Sequence, residues 1–172
     1  MHDTMTSTHW HEPTAGGRAG KKTFGRPKTP YDIFMEEEGV PIFRGLGFRR
    51  VHDLPLGDWK RLGGRGSYIQ LYGTEGKWGC YVIEVPGGGA LNAEKHMFEK
   101  IYYVVEGRGS VEVWMDGDAK KHIFEYQKGS MFSIPMNVTH QIVNATSTTG
   151  LLLAGTTAPN IMNLIGNTTA CL

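Results

Sequence analysis

Two stretches decide the fold of this chain: PGGGALNAEKHMFEKIYYVVEGRG at residues 86–109 and GSMFSIPMNVTHQIVN at residues 129–144. Glu94 and His96 lie two residues apart in a run that we interpret as a strand, so both side chains should leave the same face. His140 follows a second turn and could supply a third donor from a facing strand. One carboxylate and two imidazoles are typical ligands of mononuclear non-haem iron and of related Mn, Ni or Zn centres.

The sequence around these stretches has all-β texture. From Gly47 onward, short runs rich in Tyr, Val, Ile, Phe and Trp are separated by glycines, which is typical of strands joined by turns. We predict strands near residues 68–72, 79–85, 101–105, 110–115, 122–126, 131–134, 140–143 and 151–154. Their spacing favours a barrel or a jelly roll of two sheets.

The two ends of the chain differ from this β region. Residues 1–30 have almost no aliphatic side chains, so we interpret them as an arm that cannot fold alone. We treat the arm's histidines, His2, His9 and His11, as nonspecific. Thr29, Pro30 and the following YDIFMEEEG predict a short helix that ends at Gly39, and the tail from Pro159 to Gly166 predicts a final helical turn. The predicted organisation is an arm with a helix over 1–46, a barrel over 47–158 and a tail over 159–172.

Composition restricts the class of function. A length of 172 residues suits one domain, and a net charge of +1 with 18 dispersed basic residues does not favour nucleic acid or an anionic membrane as partner. No apolar run approaches the roughly 20 residues of a membrane span, and the first residues lack a signal-peptide core. We therefore expect a soluble, cytoplasmic protein with a small-molecule substrate. Cys80 and Cys171 form no disulfide framework, and neither lies in a catalytic pattern.

The two motifs resemble those of the cupin superfamily. The family pattern in the first motif is glycine, two histidines, a glutamate and a glycine, and in the second it is glycine, proline, glycine, histidine and asparagine. At the same spacing this chain has Gly88, Glu94, His96, Lys100 and Gly107, then Gly129, Pro135, Asn137, His140 and Asn144. The resemblance extends over about residues 67–155 and implies the cupin fold, a double-stranded β-helix or jelly-roll barrel, which hosts many unrelated functions.

Three positions depart from the family pattern. Glu94 replaces the first histidine, Lys100 replaces the glutamate ligand, and Asn137 replaces a glycine, the mildest change because asparagine tolerates left-handed backbone. Strand alternation predicts that Lys100 points inward and Glu99 outward. Three arrangements remain open: a neutral Lys100 amine beside a metal ion, a buried ion pair between Glu94 and Lys100, or a bulge that turns Glu99 inward.

The leading hypothesis from the resemblance is a metal-dependent cupin enzyme that acts on a small, anionic organic molecule. Glu94, His96 and His140 would bind Fe(II), or else Mn, Ni or Zn, and the chemistry would be that of a dioxygenase or a lyase such as a decarboxylase. Lys100 and Tyr102, which share the inward face, are the predicted catalytic residues. The alternatives are a metal-free isomerase or epimerase, with a histidine as general base, and a binding module without turnover.

Two further expectations concern the surface. Arginines crowd the entry to the β region, and we favour their interpretation as a solvated rim over an anion-binding role; they are Arg44, Arg49, Arg50, Arg61 and Arg65. Barrels of this kind expose an apolar sheet face, and an arm that cannot fold alone often gains order on a neighbour. We therefore predict a homodimer.

Overall fold

The computed structural model describes residues 27–172, so the arm histidines His2, His9 and His11 lie outside the described residues. The helices are α1 (Pro30–Glu37) and α2 (Ala158–Ile165). The strands are β1 (Ile42–Gly45), β2 (Gly57–Trp59), β3 (Gly64–Leu71), β4 (Gly79–Val85), β5 (Lys100–Glu106), β6 (Arg108–Trp114), β7 (His122–Gln127), β8 (Met131–Ile134), β9 (Thr139–Asn144) and β10 (Gly150–Thr156). Short 3₁₀ turns lie at Val51–Asp53 and Thr169–Cys171.

The strands form two sheets. The larger sheet has the order β1-β3-β4-β10-β5-β8, with β2 added beside β3, and the smaller has the order β7-β6-β9. Their inner faces share one hydrophobic core, to which the larger sheet contributes Ile83, Val104 and Leu152 and the smaller contributes Val111 and Ile142. The predicted all-β jelly-roll barrel is confirmed.

All eight strands predicted above between residues 68 and 154 are present, but the structure adds two before them. Strand β1 pairs in parallel with β3, and β2 pairs with the start of β3. Residues 42–45 thus join the larger sheet although they precede the barrel boundary predicted at residue 47. With four residues in β1 and three in β2, these strands are too short to show an alternating pattern.

Helix α1 confirms the predicted helix start. The Thr29 side chain accepts a hydrogen bond from the Asp32 backbone amide, Asp32 in turn accepts one from the Thr29 amide, and Pro30 occupies the first helical position. This reciprocal cap satisfies amides that the helix itself leaves unpaired. Tyr31 and Met35 are buried against the barrel core, so the helix closes one side of the barrel.

The C-terminal helical segment is confirmed as α2, which ends at Gly166 in left-handed conformation with φ 73°. No helix within residues 27–172 has the length and apolar character needed to cross a membrane.

Candidate functional site

The site forms where the irregular segment between β4 and β5 crosses β9. The backbone amides of Glu94 and His140 each donate to the other's carbonyl oxygen, both at 2.9 Å. This isolated bridge brings the Glu94 Oε2 atom within 3.8 Å of His140 Nε2. The prediction that residues 94–96 form a strand is wrong, because Glu94 pairs only through this bridge and the chain then turns.

His96 is fixed from two sides. Its Nδ1 atom lies 2.5 Å from the Phe98 carbonyl oxygen, and its ring stacks on the Phe98 ring at 4.5 Å. Its own carbonyl accepts from the amide of Asn137 at 2.7 Å, and Asn137 has the left-handed φ of 62° that its place in the motif predicts. Because a carbonyl requires a proton on Nδ1, His96 Nε2 carries a free lone pair.

The two imidazoles lie close together, with ring centroids 5.2 Å apart. Both side chains are buried, and neither His96 Nε2 nor His140 Nδ1 has a hydrogen-bond partner among the described residues. The structure therefore brings the three predicted ligands into one cluster and leaves two buried nitrogens without partners in the described part of the chain.

Both oxygens of Glu94 are bound to cations of the chain itself. Lys100 Nζ donates to Oε2 at 2.8 Å, and Arg61 Nη1 donates to Oε1 at 2.5 Å. Lys100 is only 2% exposed, whereas Glu99 points outward and accepts from the Thr157 hydroxyl. Of the three open arrangements, the structure shows the buried ion pair, without a bulge that turns Glu99 inward.

Arg61 is the site residue that the sequence analysis missed. Its Nε atom donates to Glu38 at 2.8 Å, its guanidinium lies over the rings of Phe34 and Trp59, and its side chain is 27% exposed. The interpretation as part of a solvated rim is therefore wrong for Arg61. Arg61 lies in the turn after β2, 33 residues before Glu94. The local spacing of residues cannot predict a contact between positions so far apart in the sequence.

Charge and burial set the ionisation of the cluster. Burial raises the pKa of Glu94, but attraction to Lys100, Arg61 and His140 outweighs burial and lowers it to about 2. Burial, followed by repulsion from Lys100, lowers the pKa of His96 to about 4 and that of His140 to about 3. Burial lowers the pKa of Lys100, and the attraction of Glu94 opposes that change. At neutral pH the carboxylate is charged and both imidazoles are neutral.

Tyr102 belongs to an aromatic wall beside the cluster. Its hydroxyl lies 2.7 Å from that of Tyr81, and its ring stacks on Phe132 at 5.3 Å and lies 6.4 Å from the His140 ring. Phe132 in turn contacts Phe124, which is partly exposed. Aromatic rings thus extend from the surface to His140, and the catalytic role of Tyr102 remains a prediction.

A cavity of 160 Å³ opens beside the ion pair and is lined by Arg61, Ala93, Glu94, Lys95 and Leu172. A second space of 20 Å³ lies between Arg61, Lys100 and the surrounding rings, enough for about one water molecule. The larger cavity therefore gives access to the Glu94 carboxylate from the side on which Arg61 lies.

The donor set as arranged does not fit a divalent metal ion. Within residues 27–172, no group of three or more His, Cys, Asp or Glu side chains has the geometry of a metal site. Two cationic groups already bind Glu94, and a metal ion at the same oxygens would meet their repulsion. The assignment of Glu94, His96 and His140 as Fe(II) ligands is untested and remains a prediction.

The fold and site together define a two-sheet jelly-roll barrel with a polar centre between its sheets. The sequence model of the family described as "Cupin domain" matches residues 81–154, which contain both motifs. This part of the chain therefore belongs to the cupin superfamily.

Solved structures agree with this assignment at the level of fold. The cupin domain of Schizosaccharomyces pombe Cnp3 is 17% identical with a TM-score of 0.53, over 66% of this chain and 70% of that one. Drosophila melanogaster CENP-C bound to CAL1 is 14% identical with a TM-score of 0.51, over 61% and 81%. Lactobacillus farciminis oxalate decarboxylase in a formate complex is 21% identical with a TM-score of 0.52, over 63% and 32%. No curated protein matches the sequence.

Proposed function

We propose that this cupin binds a small anionic organic molecule at a metal-free centre, in the cavity beside Arg61 and Glu94. The observation that carries the proposal is that both Glu94 oxygens are already bound to cations of the chain, Lys100 and Arg61. The internal ion pair satisfies the carboxylate, and of its two cations Arg61 borders the space where a ligand can enter. A ligand anion there would compete with Glu38 and Glu94 for the Arg61 guanidinium.

The lining of the cavity favours a small anion. Arg61 and Lys95 both border the 160 Å³ space, and an arginine fork suits a carboxylate better than any other side chain does. Because a water molecule takes about 30 Å³, the cavity has room for about five waters. That size suits a carboxylate of a few carbon atoms.

Proton transfer is the reaction class that the neighbouring groups can serve. At neutral pH His96 and His140 are neutral, because burial lowers their pKa to about 4 and about 3, and each has a nitrogen without a partner in the described residues. A neutral imidazole can accept a proton from an anion that reaches it past Glu94, which lines the cavity, and Lys100, which binds Glu94, can polarise a carbonyl of that anion. This chemistry is that of an isomerase or epimerase.

Calorimetric titration of the purified protein with acetate, pyruvate and oxalate tests the proposal. We expect at least one of these anions to bind and the Arg61→Gln variant to lose that binding. Arg65→Gln is the matched control, because Arg65 lies four residues away and pairs with Glu84 at the surface. Equal affinity of the Arg61→Gln variant and the unmodified protein would contradict the proposal, as would no binding of any of the three.

A second candidate, the metal-dependent dioxygenase or lyase with Fe(II), is favoured by one observation. Buried His96 Nε2 has no hydrogen-bond partner in the described residues, His140 Nε2 lies 3.8 Å from Glu94 Oε2, and imidazole nitrogens are common metal donors. The test is elemental analysis after anaerobic reconstitution with Fe(II), using protein in which His2, His9 and His11 are replaced by Ala. Iron at about one equivalent would support this candidate, and less than about a tenth would remove it.

We further propose that the protein forms a homodimer through the outer face of β5 and β8. Ile101 and Tyr103 project from this face and Met131 lies opposite Tyr103; all three are exposed, Met131 by 64%. A contiguous apolar face of this kind marks a contact with another protein. Light scattering should show a monomer for Met131→Glu and a dimer for the control Met115→Glu, whose methionine is 54% exposed at the end of β6.

A further inference from the structure

We infer that the Lys100 ammonium group occupies the place that a divalent cation would need, so that this chain carries its own cation and gains a metal site when Lys100 is removed. The inference rests on the proposed metal-free function and deepens it. It concerns what the buried lysine does at the centre of the barrel, apart from any ligand in the cavity.

Lys100 is bound to the carboxylate that a metal ion would need as a ligand. Its Nζ atom lies 2.8 Å from Glu94 Oε2, and that same oxygen lies 3.8 Å from His140 Nε2. The ammonium group is also 5.7 Å from the centre of the Phe98 ring, on which His96 stacks. The cation therefore binds Glu94 directly and lies close enough to both imidazoles for its charge to lower their pKa.

The charge count gives the second step. Lys100 and Arg61 contribute two positive charges, which Glu94 and Glu38 balance with two negative charges. A divalent ion added to this neutral, buried cluster would bring two uncompensated charges, and that is costly in a region of low dielectric constant. Replacing Lys100 by a neutral residue leaves one negative charge and frees Glu94 Oε2.

Without Lys100, the side chains of Glu94, His96 and His140 remain as possible metal donors. His96 has its lone pair on Nε2, because Nδ1 faces the Phe98 carbonyl, and His140 Nε2 faces Glu94. Two ligands of one tetrahedral ion are separated by about 3.4 Å when each bond is about 2.1 Å. The observed 3.8 Å between Glu94 Oε2 and His140 Nε2 needs a shift of only a few tenths of an ångström.

The experiment compares Co²⁺ binding by the full chain and by its Lys100→Met variant, both with His2, His9 and His11 replaced by Ala so that the arm does not chelate. We expect visible absorption from bound Co²⁺ and about one equivalent per chain in Lys100→Met, against less than about a tenth in the parent. Lys121→Met is the matched control, because Lys121 is a lysine that pairs with Glu112 at the surface and does not line the cavity. It should behave as the parent does.

A second variant and a second readout keep the inference falsifiable. Adding Glu94→Gln to Lys100→Met should abolish Co²⁺ uptake, and Co²⁺ should raise the melting temperature of Lys100→Met but not of the parent, since a ligand of the folded state stabilises it. A Lys100→Met protein that takes up no Co²⁺, or that stays unfolded in its presence, overturns the inference. Metal in the parent would overturn the inference together with the proposed metal-free function, whereas no uptake by Lys100→Met would leave that function standing, so the two failures are distinguishable.

Discussion

Replacing Glu94 by glutamine is the most direct test of the ion-paired centre. The amide keeps the shape of the side chain but leaves Lys100 and Arg61 without the carboxylate to which both donate. Breaking a buried ion pair by neutralising one partner costs about 3–5 kcal/mol, because the remaining charge loses its partner. We therefore expect a large loss in the free energy of unfolding at pH 7.

The pKa of Glu94 gives an independent value for the same quantity. It falls from 4.5 to about 2 on folding, and one pKa unit corresponds to about 1.4 kcal/mol, so the charged carboxylate contributes about 3 kcal/mol at pH 7. Because the folded-state pKa is the lower one, this contribution is present above about pH 5 and is lost as the pH falls toward 2. At pH 3 only about 1 kcal/mol of it remains.

Urea denaturation at pH 7 and pH 3 measures both values. The difference between the unmodified protein and Glu94→Gln should be about 3 kcal/mol at pH 7 and should shrink by about 2 kcal/mol at pH 3. Glu99→Gln is the control, because Glu99 is exposed, and we expect less than about 0.5 kcal/mol for it. A loss below about 1 kcal/mol for Glu94→Gln, or one that does not change with pH, would refute the ion-pair argument.

Three further predictions concern the scaffold and its response to acid. Asn144→Ala should lower the free energy of unfolding by about 2–3 kcal/mol in urea, because the Asn144 amide makes four hydrogen bonds to the neighbouring backbone and threonine hydroxyl. Gly109→Ala should fail to give folded protein on gel filtration, since a Cβ there would overlap the Val143 carbonyl oxygen, whereas Gly155→Ala has free space and should fold normally. His140→Gln should reduce the loss of stability on acidification. Burial lowers the pKa of His140 to about 3, so between about pH 6 and pH 4 only the unfolded chain takes up a proton at this histidine. The free energy of unfolding, measured in urea from pH 6 to 4, should therefore fall by up to about 1.4 kcal/mol less per pH unit in the variant. An unchanged slope would contradict that pKa.

Much of the fold was readable because its signals are local. Strand texture, the turn glycines and the Thr29–Pro30 helix start each involve neighbouring residues, and the structure confirms all of them. Strands β1 and β2 were not predicted, because each is too short to show an alternating pattern and each joins the sheet only by pairing with β3. Pairing between distant segments is decided by packing, for which the sequence of one segment gives no direct signal.

The sequence predicted which residues meet at the site, but not what neutralises the charge of Glu94 there. Motif spacing brought Glu94, His96, Lys100 and His140 together, and the inward direction of Lys100 followed from strand alternation. What the sequence left open was whether a metal or a side chain would neutralise Glu94. That choice depended on Arg61, whose contact with Glu94 spans 33 residues and follows from the course of the β2–β3 turn.

The two departures from the family motif have to be understood together. Glutamate at position 94 alone would bury a carboxylate among imidazoles, and lysine at position 100 alone would bury an ammonium group; each uncompensated charge would cost several kcal/mol. In this chain each satisfies the other at 2.8 Å, and Arg61 adds a second cation that Glu38 balances. The ionic chain that results links the end of α1 to the middle of the barrel. We therefore expect metal occupancy at this centre to depend on the number of cationic side chains that bind Glu94, and not only on the presence of the two histidines.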